Sequence, residues 1–264
     1  MRVSDLAEAL ALRPTDDGHW LAFADPRYQS TNEMFGGWTA AVTLRGAMQS
    51  GDEAATPSAI TINFVRLVES GTEVLVRVHL VGGGRSIQHW RAEVISAEDE
   101  GLLAYAMIVL SERRTSDGVT QPVMPDVPQP ESLEEIHTPG TQGQRASHRP
   151  VFGHPPFGRD STRSSSWVRD MTGRPVDHLQ LAFLADAYAP RAFYWSDGPR
   201  SSATITYSVY FHGTSEEIAA VGDDYLLNEA TGTRGADSTS GQQARLWSRK
   251  GDLLATSEQL HWFR

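Results

Sequence analysis

This chain writes one order of elements twice, and that repetition restricts the folds open to it more than any other feature. A helical stretch from Trp38 to Met48 precedes four apolar runs, AITINFVRLV, EVLVRVHLV, IQHWRAEVI and LLAYAMIVL. A second, from His178 to Ala189, precedes ATITYSVYFH, DYLLNEATG, QQARLWSR and LLATSEQLHWF. Local matches support the repeat: Gly101 to Ala104 answers Gly251 to Ala255, and Phe64 answers Phe211, at an offset of 147 to 151 residues.

The apolar runs alternate with period two, as strands of an antiparallel sheet with one covered face do. Val74, Val76, Val78 and Leu80 share one face; Trp90, Ala92 and Val94 share one against His89, Arg91 and Glu93. A helix followed by such a sheet, written twice, predicts two α+β units, each wrapping its own helix. Between them, residues 115–166 are rich in Pro, Gly and Ser and read as a linker or surface crossing, or as an irregular part of one domain. The expected division is 1–114, a crossing over 115–166, and 167–264. In the second unit Asp177 and Gln180 resemble a capping box, and Pro190 is expected to end the helix.

Composition excludes several function classes. A net charge of -10 opposes broad attraction to nucleic acid or anionic lipid, so neither is expected as a partner. Zero cysteines rule out disulfides, thiolate metal sites and cysteine nucleophiles, and fit a reducing cytoplasm. Residues 1–12 lack the order of a signal peptide, and no apolar run is long enough for a membrane span. Gly-x-Ser-x-Gly, His-Glu-x-x-His, Walker and Rossmann patterns are all missing, and the histidines show no ligand spacing. No metal or cofactor is expected.

Asp186 continues the helical stripe of Leu179, Ala182 and Phe183, which aims a carboxylate into apolar surroundings. It is read either as a base or water-orienting group, or as a helix-end aspartate bonded to backbone or to Arg191. Gln259 shares a face with Ala255, Ser257, His261 and Phe263, and an inward Gln or an inward Thr204 needs hydrogen-bond partners.

FGGWTAAVTLRGA (Phe35 to Ala47), GRS (Gly84 to Ser86), FLADA (Phe183 to Ala187), TITYSVYFH (Thr204 to His212) and TSEQLHWFR (Thr256 to Arg264) together resemble the acyl-CoA thioesterase II family. The resemblance runs in order along nearly the whole chain, the crossing excepted. It implies a double hotdog fold and hydrolysis of acyl-CoA or acyl-carrier thioesters, with Asp186, Thr204 and Gln259 orienting the water. The chain departs from the family pattern at Thr206 and Tyr207, where an Asp-His pair is common. A lyase or cyclase on a thioester, and a binding protein without turnover, stay open as alternatives.

Around that centre, Gly37 at the start of the first helix is a candidate oxyanion donor. Phe35, Trp38, Tyr188, Phe211 and Trp262 are candidates for lining an acyl tunnel, or ordinary core. Arg85, Arg91, Arg191 and Arg234 are read as solvated surface charges or phosphate contacts. A double-hotdog chain is also expected to form a homo-oligomer, a dimer by preference.

Overall fold

The computed structural model describes residues 6–31 and 33–264. Residues 1–5, part of the N-terminal stretch tested above for a signal peptide, lie outside the described residues. In chain order the first elements are α1 (Leu6–Ala9), β1 (Leu12–Pro14), β2 (Trp20–Phe23), α2 (Gly36–Ser50), β3 (Thr56–Phe64), β4 (Glu73–Gly83), β5 (Ile87–Ser96) and β6 (Leu102–Ser111). Then come β7 (Ala146–Phe152), β8 (Ser164–Asp170), α3 (His178–Leu184), β9 (Ser202–Phe211), α4 (Ser215–Val221), β10 (Leu226–Ala236), β11 (Thr239–Trp247) and β12 (Leu253–Phe263).

Among the described residues the strands form one antiparallel sheet in the order β1-β2-β4-β5-β6-β3-β9-β12-β11-β10-β8-β7. The two repeats meet at its centre, where β3 pairs with β9. There Thr61 faces Ser208, 147 residues on, with their hydroxyl oxygens 3.0 Å apart, so a local two-fold relates the halves. Helices α2 and α3 pack against each other and on the inner face of this sheet. The result is the double hotdog, α+β arrangement that the repeat and the resemblance predict.

Alternation places the expected core. Val74, Val76, Val78, Trp90, Ala92 and Val94 are buried, and α2 is buried from Gly37 through Leu44. Leu80 is the exception, 55% exposed where β4 and β5 shift register between Leu80 and Gly82. Ala, Leu and Met favour the helical state of α2, yet its N-cap, Phe35, offers no side-chain hydrogen bond. That helix start needs a partner from elsewhere in the fold.

Elements α1, β1, β2, β8 and α4 add to those read from the sequence, and two further differences stand out. Within the segment read as a crossing, residues 146–152 form β7, an edge strand paired with β8. Pro150 hid it, because proline breaks the strand pattern and is tolerated at an edge. Helix α3 stops at Leu184 rather than running to Pro190. Side chains of the surrounding sheet take its last carbonyls: Tyr207 Oη donates to Ala182 O at 2.7 Å, Asn228 Nδ2 to Leu184 O at 3.1 Å, and Ser257 Oγ to Ala185 O at 3.0 Å. At its start, Asp177 accepts from Gln180 N as expected, but the Gln180 amide turns to Asp170 instead of closing a capping box.

Candidate active site

Asp186 lies in the turn that follows α3, only 8% exposed, with its carboxylate reaching across to the other half of the molecule. Oδ2 accepts from the backbone N–H of Gly37 at 2.7 Å, and Oδ1 accepts from Gln259 Nε2 at 2.6 Å. The carboxylate thus supplies the anion missing at the start of α2, where aligned peptide dipoles favour negative charge. Burial nevertheless dominates: it lifts the Asp186 carboxyl to about 7, and the bonds from Gln259 and Gly37 only partly oppose the rise. Arg191, a sequence-level candidate partner, makes no bond to Asp186. Its guanidinium is fully buried and donates to Ala189 O, Thr162 O and Ser164 Oγ, so it is not a surface charge either.

Both glycines that start α2 are needed by close approach. A Cβ on Gly36 would stand 2.9 Å from Asp186 Oδ2, and one on Gly37 would stand 2.6 Å from the Phe183 carbonyl oxygen. The Gly37 amide, expected to hold an oxyanion, is occupied by Asp186 instead.

Gln259 projects inward from β12, as its alternation predicts, and is 2% exposed. Its oxygen receives Gln242 Nε2 at 2.8 Å and lies 2.6 Å from His261 Nε2. Thr204 joins this group one step further out, with Oγ1 3.2 Å from the same His261 nitrogen and no bond to Asp186. Strict alternation would put Thr204 on the outer face with Thr206, because Tyr207 points inward. A β-bulge reverses that: Leu260 pairs with Thr206 but His261 pairs with Thr204, so Ile205 is the extra residue.

The aromatic candidates divide. Phe35 packs edge-on against Phe183, ring centroids 5.2 Å apart, beside the glycine pair. The Tyr188 ring lies under the Arg191 guanidinium, and burial holds its hydroxyl well above the usual range. Phe211 is core against His178. Trp38 is fully buried with Nε1 on Ala9 O at 3.0 Å, so it serves the first-half core. Trp262 is 41% exposed on the outer face, since Gln259, His261 and Phe263 take the inner one. Gln242 was missed; its signal is its pairing directly opposite Gln259. Among the described residues no three His, Asp or Glu side chains gather as a metal set.

Two family models account for most of the chain: the acyl-CoA thioesterase N-terminal domain matches residues 24–110, and the acyl-CoA thioesterase C-terminal domain matches residues 117–263. The chain belongs to the acyl-CoA thioesterase family. Its activity is accordingly the hydrolysis of acyl-CoA thioesters. This thioesterase is also similar to a solved protein of unknown function with the hot dog fold from Alicyclobacillus acidocaldarius, at 30% identity and TM-score 0.93, covering 99% of both chains. A tesB protein of Mycobacterium avium subspecies paratuberculosis (23% identity, TM-score 0.83, 98% of each chain) shares the fold. So does an acyl-CoA thioesterase II of Mycobacterium marinum (17%, TM-score 0.77, 98% of each chain). No curated protein matches the chain.

Proposed function

We propose that this thioesterase works by direct attack of a water held on Asp186, with Gln259 and Thr204 as its orienting partners. The observation that carries the reading is a buried carboxylate lifted to about 7, with a defined donor on each oxygen. A carboxylate so placed is basic enough to take a proton near neutral pH. Water loses that proton to Asp186 as its oxygen bonds to the thioester carbon. The tetrahedral intermediate then collapses with cleavage of the C–S bond, and the thiolate recovers the proton from Asp186. Gln259 keeps one carboxylate oxygen fixed. Thr204 Oγ1, 3.2 Å from His261 Nε2, turns its own hydrogen toward the water.

Phe35 and Tyr188 beside the carboxylate are proposed to contact the acyl group. The donor for the oxyanion must be other than Gly37 while Asp186 holds that amide. Both CoA and acyl-carrier thioesters of fatty-acid metabolism are proposed as substrates, in a cytoplasmic setting that the absence of cysteine suits. The division at 1–114, 115–166 and 167–264 is likewise proposed. A homodimer is proposed on the outer sheet face, where Tyr105, Met107, Tyr210, Leu260 and Trp262 of β6, β9 and β12 are exposed. Among the described residues no helix is long and apolar enough to cross a membrane.

Thiol release from a panel of acyl-CoAs and acyl carriers, by wild type and Asp186→Asn, tests the mechanism. Equal rates for the two proteins would sink it; sedimentation of the wild type decides the dimer.

A further inference from the structure

The atom identities around Gln259 follow from one donor that cannot be reversed. The backbone N–H of Arg191 lies 2.9 Å from the Gln242 side chain, and a backbone amide only donates. The atom it meets is therefore the Gln242 oxygen, and the opposite end of that amide is NH2. That NH2 meets Gln259 at 2.8 Å, so Gln259 presents its oxygen to β11 and its own NH2 to Asp186. The His261 Nε2 nitrogen lies 2.6 Å from the same oxygen and 2.9 Å from the Gln242 NH2, and its tautomer sets whether it donates to the first or accepts from the second. The Gln242 NH2 thus fixes Gln259 Oε1 as an acceptor. Flipping the Gln259 amide would set its NH2 against that donor and its oxygen against the carboxylate.

We propose that Gln242 is a positioning residue for the hydrolytic reaction, transmitting the polarity of the Arg191 backbone amide to Gln259 and holding Gln259 as a donor to Asp186. The inference rests on Asp186 being the base only for its catalytic consequence; the relay itself stands on hydrogen-bond geometry. Arg191 is suited to anchor the chain. Its guanidinium is locked on Thr162 O, Ser164 Oγ and Ala189 O and lies 4.3 Å from the centre of the Tyr194 ring, which fixes the amide on the same residue. Bonds aligned in one sense also polarise one another in a buried setting.

Few other groups compete for control of Asp186. Tyr188 on its own turn and Tyr207 on β9 face it, and burial keeps both hydroxyls protonated. His261 on β12 is held down to about 4 by burial and is neutral; Arg191 lies beyond it. The first turn of α2 brings amides and no acidic side chain. With Gln242 replaced, Gln259 can turn its oxygen to Asp186, which favours the protonated acid.

The test is a 13C carboxyl titration of Asp186 in wild type, Gln242→Met and His261→Phe, assigned by its loss in Asp186→Asn, alongside pH profiles of kcat/KM. Losing a bond donated to a carboxylate moves its midpoint by about one unit, a tenfold change in the ionised fraction. The expected result is an upward shift of that size in Gln242→Met, a smaller one in His261→Phe, and an acidic limb of kcat/KM that follows the NMR midpoint. A wild-type midpoint in Gln242→Met would overturn the inference. Should Gln242→Met fail to fold, the smaller Gln242→Ala decides on the same criterion. A shifted midpoint combined with full activity of Asp186→Asn would uphold the relay and remove the catalytic reading.

Discussion

The inner faces of the two half-sheets can be compared row by row, because the strands that meet at the centre carry the same bulge. Ser58 is skipped in the pairing of β3 with β6, and Ile205, 147 residues later, is skipped in the pairing of β9 with β12. Across the first half, one row reads Ile60, Ile108, Trp90; its counterpart reads Tyr207, Gln259, Gln242. The next row reads Pro57, Leu110, Gln88 against Thr204, His261, Ser240. The helices differ in step: α2 runs fifteen residues, whereas α3 ends after seven and gives way to the turn that carries Asp186. One copy of the fold is packed mainly for stability, while the other trades apolar contacts for a polar network. The stable copy nevertheless takes part in the site, since the start of α2 donates to Asp186.

Five measurements bear on that contrast. Asp186→Asn removes the proposed base and should lower kcat/KM for an acyl-CoA by about 10³-fold, within the range for general-base loss. The same variant tests the burial of the charge. Because the folded midpoint of about 7 exceeds the ordinary 3.8, the carboxyl stabilises the fold below the unfolded value, and that contribution is lost as pH rises toward 7. Melting of Asp186→Asn relative to wild type should therefore improve between pH 4 and pH 8, by up to about 4 kcal/mol. A constant difference would show that the carboxyl is not perturbed.

Smaller effects come from exchanging the rows. Ile108→Gln places an amide in the apolar row without partners and should destabilise the protein by about 3 kcal/mol, read from denaturant midpoints, with the intrinsic rate unchanged. Gln259→Leu copies the apolar character of the first half and should cut kcat/KM about 10²-fold, as loss of a fixed polar partner does. Gly36→Ala pushes a methyl against Asp186 Oδ2 and should reduce the rate by about tenfold, since small misplacements of a reacting group are expensive. A rate equal to wild type for this last variant would mean that the carboxylate is free to move.

Much of this was legible from residues alone. Period-two alternation placed Trp90, Ala92, Val94 and Gln259 on the inner face, and a stripe of apolar residues singled out Asp186 as a carboxylate in a core. Thr204 was named through resemblance, but its inward aim depends on the bulge at Ile205, which no local pattern announces. Arg191 illustrates the opposite failure: a charged residue near aromatic neighbours reads as surface until its carbonyl partners, drawn from residues 162 and 189, are seen. The end of α3 was misplaced for a similar reason. Its final carbonyls are capped by Tyr207, Asn228 and Ser257, which come from three different strands.

The repeat, the alternation and the family resemblance therefore determined the double hotdog, the two helices and the placing of the Asp186 carboxylate in the core, because each depends on periodicity or on short contiguous motifs. Only the tertiary structure decided that the Gly37 amide meets Asp186, that Trp38 belongs to the first-half core, and that Gln242 belongs beside Gln259. Those outcomes are set by which hydrogen-bond donors and acceptors are brought together in a buried space, and the residues concerned lie as far apart in the chain as positions 37 and 186.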